Sequence, residues 1–136
     1  RKLRNGCIEG SFRVGACNGR DLYGMIARSP DYIKGYWIQL TCDGTWALIS
    51  WDGSNKTVLT KGEDTGNIIL SGADKTNRIG FLLKDNSIKV YVNGKPLTEV
   101  VNSDYPEPGS FGAFIASSNT SNFTVRVDEF SYWDTP

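Results

Sequence analysis

The chain is predicted to be all-β, a sandwich or barrel of short antiparallel strands. Three observations carry that reading: apolar and polar residues alternate at period two, turn signals recur along the whole length, and helical periodicity is convincing nowhere. The most informative stretch is NRIGFLLKDNSIKVYVNGKPLTEVV, residues 77 to 101, which reads as two strands, a short turn and a second hairpin at Asn93-Gly94. Asn-Gly between alternating apolar residues is the strongest short-range hairpin signal, because both central positions of a type I′ turn need positive φ.

The strands follow in order. Gly6 to Val14 sets Ile8, Gly10, Phe12 and Val14 on one side and Glu9, Ser11 and Arg13 on the other, and stops before the turn signal Cys17-Asn18-Gly19. Leu22 to Arg28 runs up to Ser29-Pro30. Tyr36 to Cys42 and Trp46 to Trp51 flank Asp43-Gly44. Thr57 to Lys61 follows Asp52-Gly53, and Asn67 to Leu70 is a short sixth strand. Arg78 to Lys84 and Ser87 to Val92 flank Asp85-Asn86, and Leu97 to Val101 follows Asn93-Gly94. Phe111 to Ala116 and Phe123 to Tyr132 come after the turn signals from Pro106 to Gly109. There is no internal repeat and no low-complexity segment.

At 136 residues the chain suits one domain spanning residues 1 to 136, whose core can bury roughly two thirds of the unfolded surface. Fifteen basic and fifteen acidic residues cancel, so no long-range field draws in nucleic acid or an anionic membrane. No apolar run approaches the ~18 residues of a membrane span and no signal-peptide pattern opens the chain. It begins with Arg1, and we read it as a module of a larger protein, with that protein's neighbouring domains as partners. Histidine is absent, which removes the commonest general base, the commonest zinc ligand and every Ser-His or Cys-His pairing.

A two-residue turn at Asp43-Gly44 would set Leu40 against Ala47, Ile38 against Ile49 and Tyr36 against Trp51, one apolar row facing the core. The preceding strand would add Leu22, Gly24 and Ile26 to that side. With the first strand in the same sheet, the outward surface then holds Glu9, Arg13, Tyr23, Met25, Trp37, Gln39, Trp46 and Leu48 across four neighbouring strands. Aromatic rings that stack on sugar faces, with amide, carboxylate and guanidinium groups close by, are the usual means of recognising neutral carbohydrate. Trp37, Trp46, Tyr23, Gln39, Glu9 and Arg13 are therefore the candidate ligand-binding residues. The competing reading makes both indoles packing residues.

The three cysteines leave two readings open. Cys17, after the first strand, and Cys42, before the Asp43-Gly44 turn, fall at the same end of the proposed meander and can meet, leaving Cys7 over. Such a bridge implies an oxidising, extracytoplasmic compartment; the alternative is three reduced thiols in a cytosolic protein. Asn-x-Ser/Thr sequons at Asn55, Asn119 and Asn122 carry no weight. Asp128, inside VRVDEF, either hydrogen-bonds neighbouring backbone amides or contributes to a hard-cation site. Asp31, Glu63 and Asp64 read as solvated loop charges.

The segments ACNGRDLYGMIARSP, GYWIQLTCDGTWALISWDG, TNRIGFLLKDNSIKVYVNG and GSFGAFIASSNTSNFTVRVDEFSYW, taken in that order, resemble a bacterial concanavalin A-like lectin/glucanase module, similar to laminin G-like and 3-keto-disaccharide hydrolase-like domains. The resemblance runs from about Asn5 to Trp133 and implies a two-sheet antiparallel sandwich of the jelly-roll type. It implies an exported or cell-surface setting, paired cysteines at Cys17 and Cys42, and a structural calcium held through Asp128 in the last strand. Glucanases of that superfamily carry a Glu-x-Asp-x-(x)-Glu strand, since retaining hydrolysis needs two carboxyl groups about 5 to 5.5 Å apart. No such motif occurs here, and Glu9 is the only carboxylate on the candidate face. The expectation is a non-catalytic module that binds carbohydrate or another cell-surface ligand. Its alternatives are a structural or protein-interaction domain and a sugar-active enzyme domain.

Overall fold

The computed structural model describes residues 2–63, 68–116, 120 and 123–134. Ten strands form: β1 (Gly6–Val14), β2 (Leu22–Ser29), β3 (Gly35–Thr41), β4 (Thr45–Trp51), β5 (Lys56–Glu63), β6 (Thr76–Lys84), β7 (Ser87–Val92), β8 (Lys95–Val101), β9 (Ser110–Ala116) and β10 (Val125–Asp134). They make two five-stranded antiparallel sheets, ordered β10-β1-β6-β7-β8 and β5-β4-β3-β2-β9. No helix occurs among the described residues. Inner faces meet through fully buried Ile8, Phe12, Ile79, Phe81 and Val90 on one side and Met25, Ile38, Leu40 and Leu48 on the other. Burying each such side chain contributes roughly 1.5 to 3 kcal/mol.

The Asn93-Gly94 turn is as the sequence predicts. Val92 pairs with Lys95, and Asn93 and Gly94 both take positive φ, 54° and 79°. The strand expected at Asn67 to Leu70 does not form among its described residues, 68–70. Its Asn67 end and Asp64 lie outside the described residues, as do the sequons Asn119 and Asn122. Leu70 has no ladder partner because a side chain supplies its bonds: Asn77, fully buried, accepts from Leu70 N (2.8 Å) and donates to Leu70 O (2.9 Å). Asn93 Nδ2 donates to Ile68 O at 2.7 Å.

Two corrections change what each face carries. First, β1 does not neighbour β2; it pairs with β6 and β10 in the other sheet, so Glu9 and Arg13 stand across the sandwich from β3. Second, the β3–β4 connection holds three residues, Cys42, Asp43 and Gly44, not two. Gly44 N donates to Thr41 O and Gly44 takes φ 89°, a type I turn followed by a left-handed residue. Leu40 therefore pairs with Trp46, Ile38 with Leu48 and Tyr36 with Ser50. A one-residue slip moves every side chain of a strand to the opposite face. Trp46 and Leu48 turn inward, and Ile49 and Trp51 turn outward.

In β2 the inward set is Tyr23, Met25 and Ala27, opposite Leu40, Ile38 and Tyr36, and the outward set is Leu22, Gly24 and Ile26. The sequence misleads here because Ile26, although outward, is only 6% exposed, so the strand is apolar on both sides.

Arg28 ends β2 in a bulge, at φ 51° and 2% exposed. Its guanidinium donates to Arg4 O (3.0 and 2.8 Å), Tyr105 O (3.2 Å) and Asn5 Oδ1 (3.4 Å), tying the segment before β1 to the β8–β9 connection. Burial, and then the Arg4 charge, lower its pKa. At the edge of the first sheet, β10 carries a bulge at Glu129 and Phe130 opposite Gly10, with Glu129 at φ 52°. Arg126 Nε pairs there with Asp128 at 3.0 Å.

Candidate functional site

The outer face of the second sheet carries the site. Trp37 on β3 pairs with Ile49 on β4, and Trp51 stands diagonally from Trp37, opposite Gly35. Lys56 on β5 faces Trp51 directly, which sets their Cβ atoms about 4.5 to 5.5 Å apart. With Gln39, these residues line an open depression of ≈ 180 Å³ floored by Ile49. Both indoles are half-buried and Lys56 is exposed.

The Trp37 ring and the strand end that carries Trp51 are held in place. Trp37 Nε1 donates to Ile33 O at 2.9 Å, and its ring lies 4.6 Å from that of Phe114 on β9, tilted by 55°. The loop that offers Ile33 O is itself fixed by Asp31, whose carboxylate accepts from Ile33 N (3.0 Å) and Lys34 N (2.8 Å). The Lys34 amide, then that of Ile33, lower the Asp31 pKa. Asp31 is thus a loop organiser where the sequence suggests a solvated charge. Tyr105 hydroxyl donates to Trp51 O, and Tyr105 N donates to Tyr36 hydroxyl at 3.1 Å, which secures the end of β4.

A second, larger depression of ≈ 640 Å³ continues along the same face and shares Gln39 with the first. Thr41, Asp43, Ala47 and Lys61 line it, with Trp46 and Gly62 at its margin. Asp43 accepts from the hydroxyls of Thr41 and Thr45, and the Thr41 bond, ahead of the backbone amides, lowers its pKa.

The structure disperses the six candidate ligand-binding residues. Trp37 and Gln39 share the outer face. Trp46 lies on the inward side of β4, half-buried, with its indole over Gly62. Tyr23 is in the core at 1% exposure; its hydroxyl accepts from Asn77 Nδ2 at 2.8 Å, and burial pushes its pKa up to about 12. Glu9 lies on the outer face of the first sheet and pairs with Arg78, which also reaches Glu129 Oε2 at 3.3 Å. Arg13 is exposed on that same face, paired with Arg126 in the ladder. Trp51, Ile49 and Lys56 are the residues that sequence reasoning missed. Gly44 as the left-handed residue closing a three-residue loop was the signal that could have found them.

Cys17 and Cys42 form a disulfide, with Cα atoms 5.7 Å apart, and Cys7 is a free, half-buried thiol. Burial first, then the Glu9 charge, raise the Cys7 pKa. Among the described residues Asp128 caps no backbone amide; its carboxylate accepts from Arg126 Nε. Among the described residues no three Asp, Glu, His or Cys side chains converge, whereas calcium takes six to eight oxygens. No helix is long and apolar enough to cross a membrane among the described residues.

The molecule is a two-sheet antiparallel β-sandwich with an aromatic depression on one outer face. No protein-family model and no curated protein matches the chain. Solved structures do. The chain is similar to the carbohydrate binding module CBM66 from Bacillus subtilis (TM-score 0.79, 13% identity, covering 97% of this chain and 76% of that one). It is also similar to sheep galectin-11 in complex with glycerol (TM-score 0.61, 13% identity, 98% and 95% covered). A third neighbour is a putative glycosyl hydrolase from Parabacteroides distasonis (TM-score 0.68, 12% identity, 99% and 80% covered). At these identities the likeness shows the fold.

Proposed function

We propose that the chain is a non-catalytic carbohydrate-binding module of an exported bacterial protein, its glycan lying across Trp37 and Trp51. One observation carries this reading: two indoles, that of Trp37 anchored to Ile33 O, flank an open apolar depression with an amide and an ammonium group at its rim. Such a depression offers stacking area and directional hydrogen bonds without enclosing a small molecule. The names of the structural neighbours, a carbohydrate binding module and a galectin, support it. The disulfide supports an extracytoplasmic setting. Glu9 and Glu129 share one guanidinium and are not set across an open cleft, which favours binding over hydrolysis.

Glycan-array screening followed by titration tests the proposal. Trp37→Ala and Trp51→Ala should each weaken binding at least tenfold, about 1.4 kcal/mol. Trp46→Ala should chiefly lower stability, by about 2 kcal/mol, since its ring packs on the core margin. Unchanged affinity in both outward variants removes the site.

A protein-interaction reading is favoured by a different observation. Ile115 of β9 and Val127 and Tyr132 of β10 have the ladder positions of inward residues yet, with Phe130 of the bulge, are 36 to 49% exposed, so apolar surface remains at that edge even though Phe111 of β9 meets the rings of Phe130 and Tyr132. A clean array, with no glycan retained, points to that reading.

A further inference from the structure

Resting on the glycan reading above, we propose that the preferred ligand is an anionic saccharide, with Lys56 receiving its carboxylate or sulfate while the sugar ring lies on the indoles. The observation is the charge distribution of the face. Lys56 is the one charged residue lining the tryptophan depression, and the rest of that lining is Trp37, Gln39, Ile49 and Trp51. Among the described residues it has no ion-pair partner. Asp52, in the adjoining turn, accepts from its own backbone neighbours Ser54 N (2.8 Å) and Asn55 N (2.6 Å).

The continuing depression carries both signs, Arg20 and Lys61 with Asp43 and Glu63, so it exerts no single preference. The Trp51 end alone presents an uncompensated cation beside apolar rings. An ammonium ion with three donors and no acceptor discriminates an acid group from a hydroxyl by charge as well as by hydrogen bonding. Lys56 lies on the edge strand β5 and is exposed, so changing it leaves the core intact.

The test is an array bearing neutral, carboxylated and sulfated forms of the same backbones, with titration of the best binder against wild type, Lys56→Gln, Lys56→Arg and Trp51→Ala. Acidic forms should bind more tightly than neutral ones by roughly tenfold at low salt, with the gap closing as ionic strength rises. Lys56→Gln should erase that gap, costing the acidic forms roughly tenfold more affinity than the neutral ones, and Lys56→Arg should retain it. The carboxylated and sulfated arms identify which acid is read. Neutral forms binding best, or Lys56→Gln weakening all forms equally, overturns the inference while Trp51-dependent binding still upholds the site. Binding indifferent to Trp37 and Trp51 overturns the site itself, and the inference with it.

Discussion

Arg28 gives the sharpest test of how this sandwich is held together. Arg28→Met keeps a long side chain at a backbone position already at φ 51°, so the conformational strain there is common to both residues. What changes is the loss of the donors serving Arg4 O, Tyr105 O and Asn5 Oδ1 at a 2% exposed site. Arg4 O and Tyr105 O, left without partners, cost about 1 to 3 kcal/mol each; Asn5 Oδ1 keeps its bonds from Arg4 Nη1 and Asp85 N, and relief of the buried charge offsets part of the loss. A net loss of about 3 kcal/mol follows. With a urea dependence of roughly 1.5 to 2 kcal/mol per molar, the unfolding midpoint should fall by about 1.5 to 2 M at unchanged slope. Arg28→Lys should be no better, because one ammonium group cannot reach acceptors on two separate segments. A midpoint shift equivalent to under about 1 kcal/mol in Arg28→Met, or near wild-type stability in Arg28→Lys, refutes the reasoning.

Two further outcomes are expected. Tyr23 has its pKa raised by burial to about 12 from an ordinary value near 10, so its contribution is fully present below pH 10 and is lost as pH rises through 12. At about 1.4 kcal/mol per unit this is roughly 2 to 3 kcal/mol, read as the difference in alkaline urea midpoints between wild type and Tyr23→Phe; parallel losses in the two would dismiss it. Replacing Cys17 and Cys42 together by Ala should cost about 3 to 4 kcal/mol on the chain-entropy account for a separation of 25 residues, and denatured, unreduced wild type should show one reactive thiol. Three reactive thiols would contradict the bridge.

Local pattern revealed most of the strands because turns and alternation are written in neighbouring residues. Asn93-Gly94 set a two-residue hairpin by its φ requirement alone, and Gly6–Val14 alternated cleanly because one of its sides meets solvent. Partnership between distant strands was not legible. Nothing near β1 announces that it lies beside β6 and β10 and not β2, and that single unknown moved Glu9 and Arg13 to the far side. The face of β4 turned on one residue in the Cys42 to Gly44 loop. Trp37 and Gln39 were found because the alternation of β3 was read correctly, whereas Trp51 was read as core and Trp46 as surface from that one-residue error. The sixth strand failed for another reason: Asn77 offers Leu70 the amide partners of a ladder from a side chain, which period-two reasoning does not see.

The bulge in β10 also governs how copies of this fold meet. A foreign strand sliding alongside encounters backbone kinked at Glu129 and a fixed pair of opposite charges, Arg126 and Asp128, where a straight run of amides would welcome it. Sheet growth by accretion is disfavoured at that rim, which leaves β8, β5 and β9 as the edges a neighbouring strand could still join.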